Sequence, residues 1–396
     1  MPSDIKHTIG ILGCANIAKK NSRAAHKTSD CKVTTISSRS NDKAESFITE
    51  VLDSDPIKIH SGDDAYHELL HNNSGQLDSV YIPLPTKLHE QYVAKALALK
   101  YHVLLEKPVA ISSNSYKNML SEASKNNKFL MDGTMFVHHP RTKAFTTSIN
   151  NPNRVSFNFT FDGTKNGQLG SNFFTNDIRL KKDGDCLGCV GDLGWYCVRM
   201  GLLVFSANDA NVLKGMVTGA QVVRCQLNDE GVPYEADCLV YFTDNRVLSF
   251  HCSFIHPLNQ TVTISGTGAG YTATMTDAIL PLPGEKLSYT LFKQGLQKDA
   301  EITTQETKVM EFDNTDVQEV CMWKNYSKMA RKIDEESAST SYLPSAVDEH
   351  KFWCGESDEV REANAIASYS LYTQIVIDKL MESIELDGAK VKLECA

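Results

Sequence analysis

Between residues 7 and 140 the chain repeats one pattern: a short apolar run, then a longer stretch with helical spacing. The short runs lie at 8–12, 32–37, 79–82, 102–106 and 129–132. Strands that are apolar on both faces need cover on both, which predicts a parallel sheet between two layers of helices. Right-handed crossovers then make it doubly wound. One intervening helix is legible in TKLHEQYVAKALAL, where Leu88, Tyr92, Val93 and Ala96 share a face and Thr86 stands where a cap belongs.

Beyond residue 150 the pattern changes. RVSFNFTF, YEADCLVYF, RVLSFHCSF, QTVTISGT and YTATMTD are alternating, β-branched or aromatic runs. They are separated by turn chemistry such as Thr243-Asp244-Asn245-Arg246 and the glycine-rich stretch from Gly266 to Gly270. Strands this close together, with no helices between them, predict an antiparallel sheet. Helical spacing recurs near 193–205, 317–335 and 359–382. The expected division is a domain at 1–145 and an α+β domain at 146–396, with the Asn150-Asn151-Pro152-Asn153 turn at the boundary.

Composition narrows the function classes. A net charge of -9, with only isolated basic pairs at Lys19-Lys20 and Lys181-Lys182, argues against a nucleic-acid partner. No stretch approaches the ~20 apolar residues of a membrane span, and the N-terminus lacks signal-peptide grammar, so a cytoplasmic protein is expected. The 11 cysteines are odd in number and scattered, which suits buried thiols in a reducing compartment. Cys186 and Cys189 have metal-ligand spacing, but no second pair or clustered His completes a tetrahedral site, and no metal is expected.

The first run leads into GILGCANIA, which puts Gly13, Ala15 and Ala18 at the positions of a G-x-G-x-x-G dinucleotide turn. Gly13 permits the tight turn, and Ala15 is small enough for a pyrophosphate to approach the backbone. Ala18 allows close helix–strand packing, and the helix N-terminus offers N–H groups to phosphate. The turn predicts a Rossmann-type domain whose cofactor contacts include Gly13, Cys14, Ala15, Asn16 and Ile17. NAD-binding folds usually close the second strand with a carboxylate for the ribose 2′-OH. Here the strand ends Ile36-Ser37-Ser38-Arg39, so Ser38 and Arg39 are set to receive a 2′-phosphate and NADP is favoured over NAD. Asp42 nearby could still reach a hydroxyl.

With YIPLPTKLHEQYV, LLEKPVA, DGTMFVHHPRT, NDIR, GDLGWY and GTGAGYTATMTD following in order, the chain resembles the glucose–fructose oxidoreductase/inositol dehydrogenase (Gfo/Idh/MocA) family, particularly its dihydrodiol dehydrogenase branch. The resemblance implies a Rossmann domain followed by an open-faced, mostly antiparallel sheet that commonly forms a homodimer interface. It places Leu84, Pro85, Thr86 and His89 along the cofactor. Glu106 and Lys107 match an E-K-P signature whose lysine serves nicotinamide and substrate. Asp192, Gly194 and Tyr196 match a motif whose last residue is the general acid/base.

Alcohol oxidation removes a hydride and a proton, so a base must reach the hydroxyl. An adjacent lysine cation stabilises a phenolate and lowers a tyrosine's ordinary value of ~10, which suits Lys107 and Tyr196. Pro108 biases Lys107 towards an extended backbone. Asp192 stands four residues before Tyr196 and could orient the pair, and Arg179 could hold substrate. Simpler readings also stand. Tyr196 could be packing, Asp192 a helix-starting carboxylate and Arg179 half of a surface salt bridge. His139 reads first as structural. Cys186, Cys189 and Cys197 flank the motif, so their oxidation could disturb activity. The expected function is NADP-dependent hydride transfer to or from a polyol, aldose or trans-dihydrodiol. A cofactor-binding regulator without catalysis and a reductase of a conjugated carbonyl or tetrapyrrole are the alternatives. Specificity is expected from the loop at 162–185.

Overall fold

A computed structural model describes residues 7–51, 56–164, 172–268, 270–296, 302–339 and 351–393. Part of the 162–185 loop therefore lies outside the described residues. Packing divides the chain into two compact units, one of residues up to His138 with Asp316–Ser370, the other of His139–Thr315 with Leu371–Ala396.

The first unit opens with β1 (His7–Leu12), α1 (Asn16–Lys27), β2 (Cys31–Ser38), α2 (Asn41–Val51), β3 (Lys58–Ser61) and α3 (Ala65–Asn72). It continues with β4 (Ser79–Ile82), α4 (His89–Ala98), β5 (His102–Leu105), α5 (Ser113–Lys125) and β6 (Leu130–Asp132). The six strands are parallel in the order β3-β2-β1-β4-β5-β6. This is the doubly wound Rossmann arrangement, with its switch point between β1 and β4. All four residues of β4 and of β5 are buried, as strands covered on both faces must be. Edge strand β3 has only one fully buried residue, which is why no apolar run announced it.

The second unit contains α6 (Pro140–Thr146), β7 (Pro152–Asp162), α7 (Asn172–Asn176), α8 (Gly188–Asp192) and α9 (Gly194–Ser206). It adds β8 (Val217–Leu227), β9 (Pro233–Phe242), β10 (Val247–Ser253), β11 (Ile255–Gly266), β12 (Thr272–Met275), β13 (Lys286–Leu296) and β14 (Ile302–Asp313). These strands and β15 (Val391–Lys392) form one sheet, ordered β14-β13-β12-β11-β7-β10-β9-β8-β15. Its pairings are antiparallel except that of β7 with β10. Period-2 alternation sorts the two faces. Ala236, Cys238, Val240 and Phe242 of β9 are buried, whereas Asp237, Leu239 and Tyr241 are half-exposed. Every residue of α9 is buried, as expected of a helix that is apolar all round.

Two long helices follow, α10 (Gln318–Ser339) and α11 (Asp358–Glu385). The unit division falls inside α11, after Ser370. All of α10 belongs to the Rossmann unit. Its stripe of Trp323, Tyr326, Met329, Ala330 and Ile333 is buried, and Tyr326 donates to Ser79 Oγ at 2.9 Å at the start of β4. Each fully buried aliphatic side chain there contributes about 1.5–3 kcal/mol. Residues 316–370 thus join the first unit although the sequence expectation grouped them with the second.

Candidate active site

Gly13 follows β1 with φ of +102°, a conformation L side chains resist, and its N–H donates to Ser37 O at 2.9 Å. A Cβ there would also sit 3.0 Å from Leu84 Cδ2. Ala15 precedes α1 in extended conformation and no side chain caps the helix. Asn16 and Ile17 are exposed, and Ala18 is wholly buried against the sheet. A glycine elbow, a small residue and an uncapped helix start fit a dinucleotide pyrophosphate. Cys14 is no thiolate, since burial pushes it up to about 11 despite the Ser38 hydroxyl beside it.

At the end of β2, Ser38 is buried and Arg39 is exposed. The Arg39 guanidinium lies beside the Tyr66 hydroxyl, whose value burial raises and Arg39 partly restores. Ser40 caps α2 by accepting from the N–H of Lys43 at 3.3 Å. Lys43 is a second cation here, close enough to act on the Cys14 thiol. Sequence reasoning missed it, although its place in the first turn after the second strand was a usable signal. No carboxylate ends β2, so this end fits a phosphate better than a hydroxyl.

Two expectations in the next loop need correction. Thr86 does not cap α4. It opens a 3-10 turn, Thr86–Leu88, in which Thr86 itself is buried, and α4 starts after Leu88 without a side-chain cap. His89 is 1% exposed and faces two carbonyls, Leu84 O at 2.8 Å from Nε2 and Val109 O at 3.1 Å from Nδ1. Both ring nitrogens are engaged by backbone, so His89 clips the Leu84-Pro85 loop to the segment after Pro108 and is a positioning residue.

Glu106 is likewise turned inward. It accepts from the Tyr81 hydroxyl, from Asn21 Nδ2 at 3.1 Å and from the Lys107 N–H at 3.3 Å. Burial raises its pKa, and Tyr81 and Lys107 oppose the shift. Lys107 follows β5 at its carboxyl end, half-buried, where open α/β sheets bind ligands. The Lys107–Pro108 peptide is cis, where the sequence suggested only an extended residue before proline.

In the second unit, Asp192 closes α8 and Tyr196 lies in the first turn of α9, with Leu193 between the helices. Asp192 accepts from Arg179 Nε at 3.0 Å. Asp192, and behind it Asp177 and Asp185, hold the guanidinium above its ordinary value against the cost of burial. Asp192 therefore orients Arg179, a pairing that the sequence did not single out. Tyr196 is 6% exposed and packs edge-on to Phe159 with ring centroids 5.5 Å apart. His139 caps α6, its Nδ1 accepting from the Arg141 N–H at 3.2 Å. Lys107 belongs to the first unit, and Arg179, Asp192 and Tyr196 to the second.

Residues 7–134 match the family model described as "Oxidoreductase family, NAD-binding Rossmann fold". The chain resembles the Gfo/Idh/MocA oxidoreductases over this stretch, about a third of its length. It is 34% identical over 134 residues to a dTDP-3,4-didehydro-2,6-dideoxy-alpha-D-glucose 3-reductase of Actinomadura kijaniata, covering 34% of this chain and 38% of that protein. With a D-xylose 1-dehydrogenase (NADP(+)) of Haloferax volcanii it shares 26% identity over 287 residues, 71% of this chain and 79% of the relative. Among solved structures, a 3-ketoreductase from Actinomadura kijaniata in complex with NADP and TDP-benzene superposes with a TM-score of 0.71 at 20% identity. That match covers 96% of this chain and 98% of the other, and it shows that the two share a fold. Among the described residues, no helix is long and apolar enough to cross a membrane.

Proposed function

We propose that the chain is an NADP-dependent oxidoreductase acting on a CH–OH or C=O group of a sugar. The observation that carries this reading is the end of β2, where Ser38, Arg39 and Lys43 stand beside the glycine elbow and no carboxylate closes the strand. The backbone from Gly13 to Ile17 would hold the pyrophosphate, and Arg39 with Lys43 the 2′-phosphate. The cofactor, when bound, supplies or accepts the hydride.

Lys107 and Tyr196 carry the proton chemistry in this proposal. Tyr196 exchanges a proton with the substrate oxygen, and the Lys107 ammonium favours the phenolate and holds that oxygen. Arg179, fixed by Asp192, contributes donors to neighbouring hydroxyls. Relatives named as a deoxysugar 3-reductase, a D-xylose dehydrogenase and a scyllo-inositol dehydrogenase support a sugar or cyclitol over a trans-dihydrodiol. Assembly into a homodimer through the open sheet face belongs to the same proposal. An absorbance screen at the nicotinamide band tests it, pairing NADPH and NADP with aldoses, inositols, keto-sugars and nucleotide-linked keto-sugars. Cofactor binding without turnover of any of these would reject it in favour of a regulator.

A further inference from the structure

In the second unit, β9, β10 and the start of β11 bring together Glu235, His251 and His256. Register accounts for the cluster. His251 pairs with Asp237 and Ser253 with Glu235, so Glu235 lies diagonally across from His251. His256 enters from the irregular stretch of β11 between Ile255 and Asn259. Their donor atoms, one from each residue, all lie within 4.8 Å of one another. Glu235 Oε1 is 2.8 Å from His256 Nε2 and 3.8 Å from His251 Nε2. In a tetrahedral zinc site with bonds near 2.05 Å, ligand atoms stand about 3.4 Å apart. The observed spacings bracket that value, and small side-chain rotations would equalise them.

We propose that Glu235, His251 and His256 form a binding site for a divalent cation of the zinc class. The surrounding groups favour one. His251 Nδ1 lies 2.8 Å from Asp237 Oδ1, so a neutral ring that donates there from Nδ1 presents its Nε2 lone pair on the side of Glu235, 3.8 Å from Oε1. In that tautomer the Nε2 lone pair and the Glu235 carboxylate can share one cation. A ligating histidine whose other nitrogen donates to a carboxylate is the usual outer arrangement of zinc sites. Arg224 takes the other oxygen of Glu235 at 3.1 Å and stands 3.5 Å from Asp237, steadying both carboxylates. With both imidazoles neutral, as ligands must be, two carboxylates and one guanidinium leave a net charge of -1 for the ion to meet. Glu235 is almost fully buried and His256 about half exposed, so in the single chain the cluster is reached from the His256 side. The fourth position is left to water or an added ligand.

The test uses the purified full chain, stripped with chelator and titrated with Co²⁺ alone, followed by displacement with Zn²⁺. One Co²⁺ per chain with the visible absorption of a tetrahedral site is expected. His251→Ala and His256→Ala should each weaken binding at least about tenfold, and Asp237→Asn roughly tenfold, the range for outer partners of metal ligands. The double variant His67→Ala/His71→Ala removes the stacked pair on α3, whose rings are 4.0 Å apart, and should leave binding unchanged. A measurement without variants runs alongside. Zn²⁺ should protect His251 and His256 from ethoxycarbonylation, read by mass spectrometry. Lack of saturable binding, binding lost with His67 and His71 but kept without His251 and His256, or unprotected His251 and His256 would overturn the site.

Discussion

Asn21, one and a half turns into α1, donates to Glu106 Oε1 over 3.1 Å and to the Tyr81 hydroxyl over 2.7 Å. The helix behind the glycine elbow is thereby tied to the residue preceding Lys107, so the phosphate cradle and the proposed catalytic lysine share one buried support. Asn21→Leu removes the shared donor and leaves Glu106 and Tyr81 under-satisfied, at a cost of about 1–3 kcal/mol. Urea unfolding should show a lower midpoint with an unchanged slope, and Lys107-dependent turnover should fall as well. An unaltered midpoint would disconnect the two.

Arg39 and Lys43 are both exposed cations, at the end of β2 and in the first turn of α2. Charge-assisted hydrogen bonds are worth about 1.5–3 kcal/mol, so Arg39→Ala should lower the NADPH-over-NADH preference roughly 10- to 150-fold. The loss should fall on NADPH alone. Fluorescence titrations with both cofactors measure this, and equal losses for the two would reassign Arg39 to general binding.

Tyr196→Phe keeps the ring against Phe159 and removes only the hydroxyl. Turnover should drop by about 10²–10⁴, the usual contribution of a general acid/base, while NADPH affinity stays the same. Lys107→Ala should cost as much and should shift upward the pH at which the remaining activity titrates. Full activity in Tyr196→Phe would mean that the tyrosine is packing.

Burial, helped by the positive charge of His102, pushes His7 from 6.5 down to about 3. The folded state keeps His7 neutral while the unfolded chain protonates it below about 6.5. Its contribution is therefore fully present above 6.5 and is lost as pH falls towards 3. Unfolding midpoints should decline between pH 7 and 4, and His7→Gln should flatten that decline. Parallel profiles for the two proteins would refute the assignment.

Cys189 and Cys197 are wholly buried, and burial drives both thiols well above their ordinary value. Proximity in sequence suggested oxidation sensitivity for Cys186, Cys189 and Cys197, but protonated interior thiols are poor nucleophiles, which leaves only the half-exposed Cys186 open to it. Alkylation of the native protein should leave both unmodified, with label reaching half-exposed positions such as Cys321 and Cys354. Rapid modification of Cys197 would contradict the burial argument.

Much of the first unit was legible because its signals are local. Runs at 79–82 and 102–106 match β4 and β5 to within one residue, since both strands are buried throughout and leave the short apolar strings 80–82 and 103–105 behind a polar first residue. Helix α9 and the strands β7, β9 and β10 also stand close to where periodicity put them. Edge strand β3 and the strands β8, β13 and β14 were missed. Val223 of β8 and Val309 of β14 point to solvent, so neither strand shows a clean apolar alternation. Of the candidate site, Gly13, Ala15, Ser38 and Arg39 were readable because a turn, a helix start and a strand end lie within a few residues of each other.

The sequence by itself determined the layering of the first unit, the glycine elbow and the missing carboxylate after the second strand. All three follow from backbone preference and side-chain period over a few residues. Only the tertiary structure decided how individual side chains are used. It engages His89 with two carbonyls, turns Glu106 inward to Asn21 and Tyr81, pairs Asp192 with Arg179 and brings α10 back to the first unit. It also sets His251 and His256 around Glu235. A side chain's own position in the chain states its chemistry, but its partner is chosen by strand register and helix packing between segments that can be hundreds of residues apart.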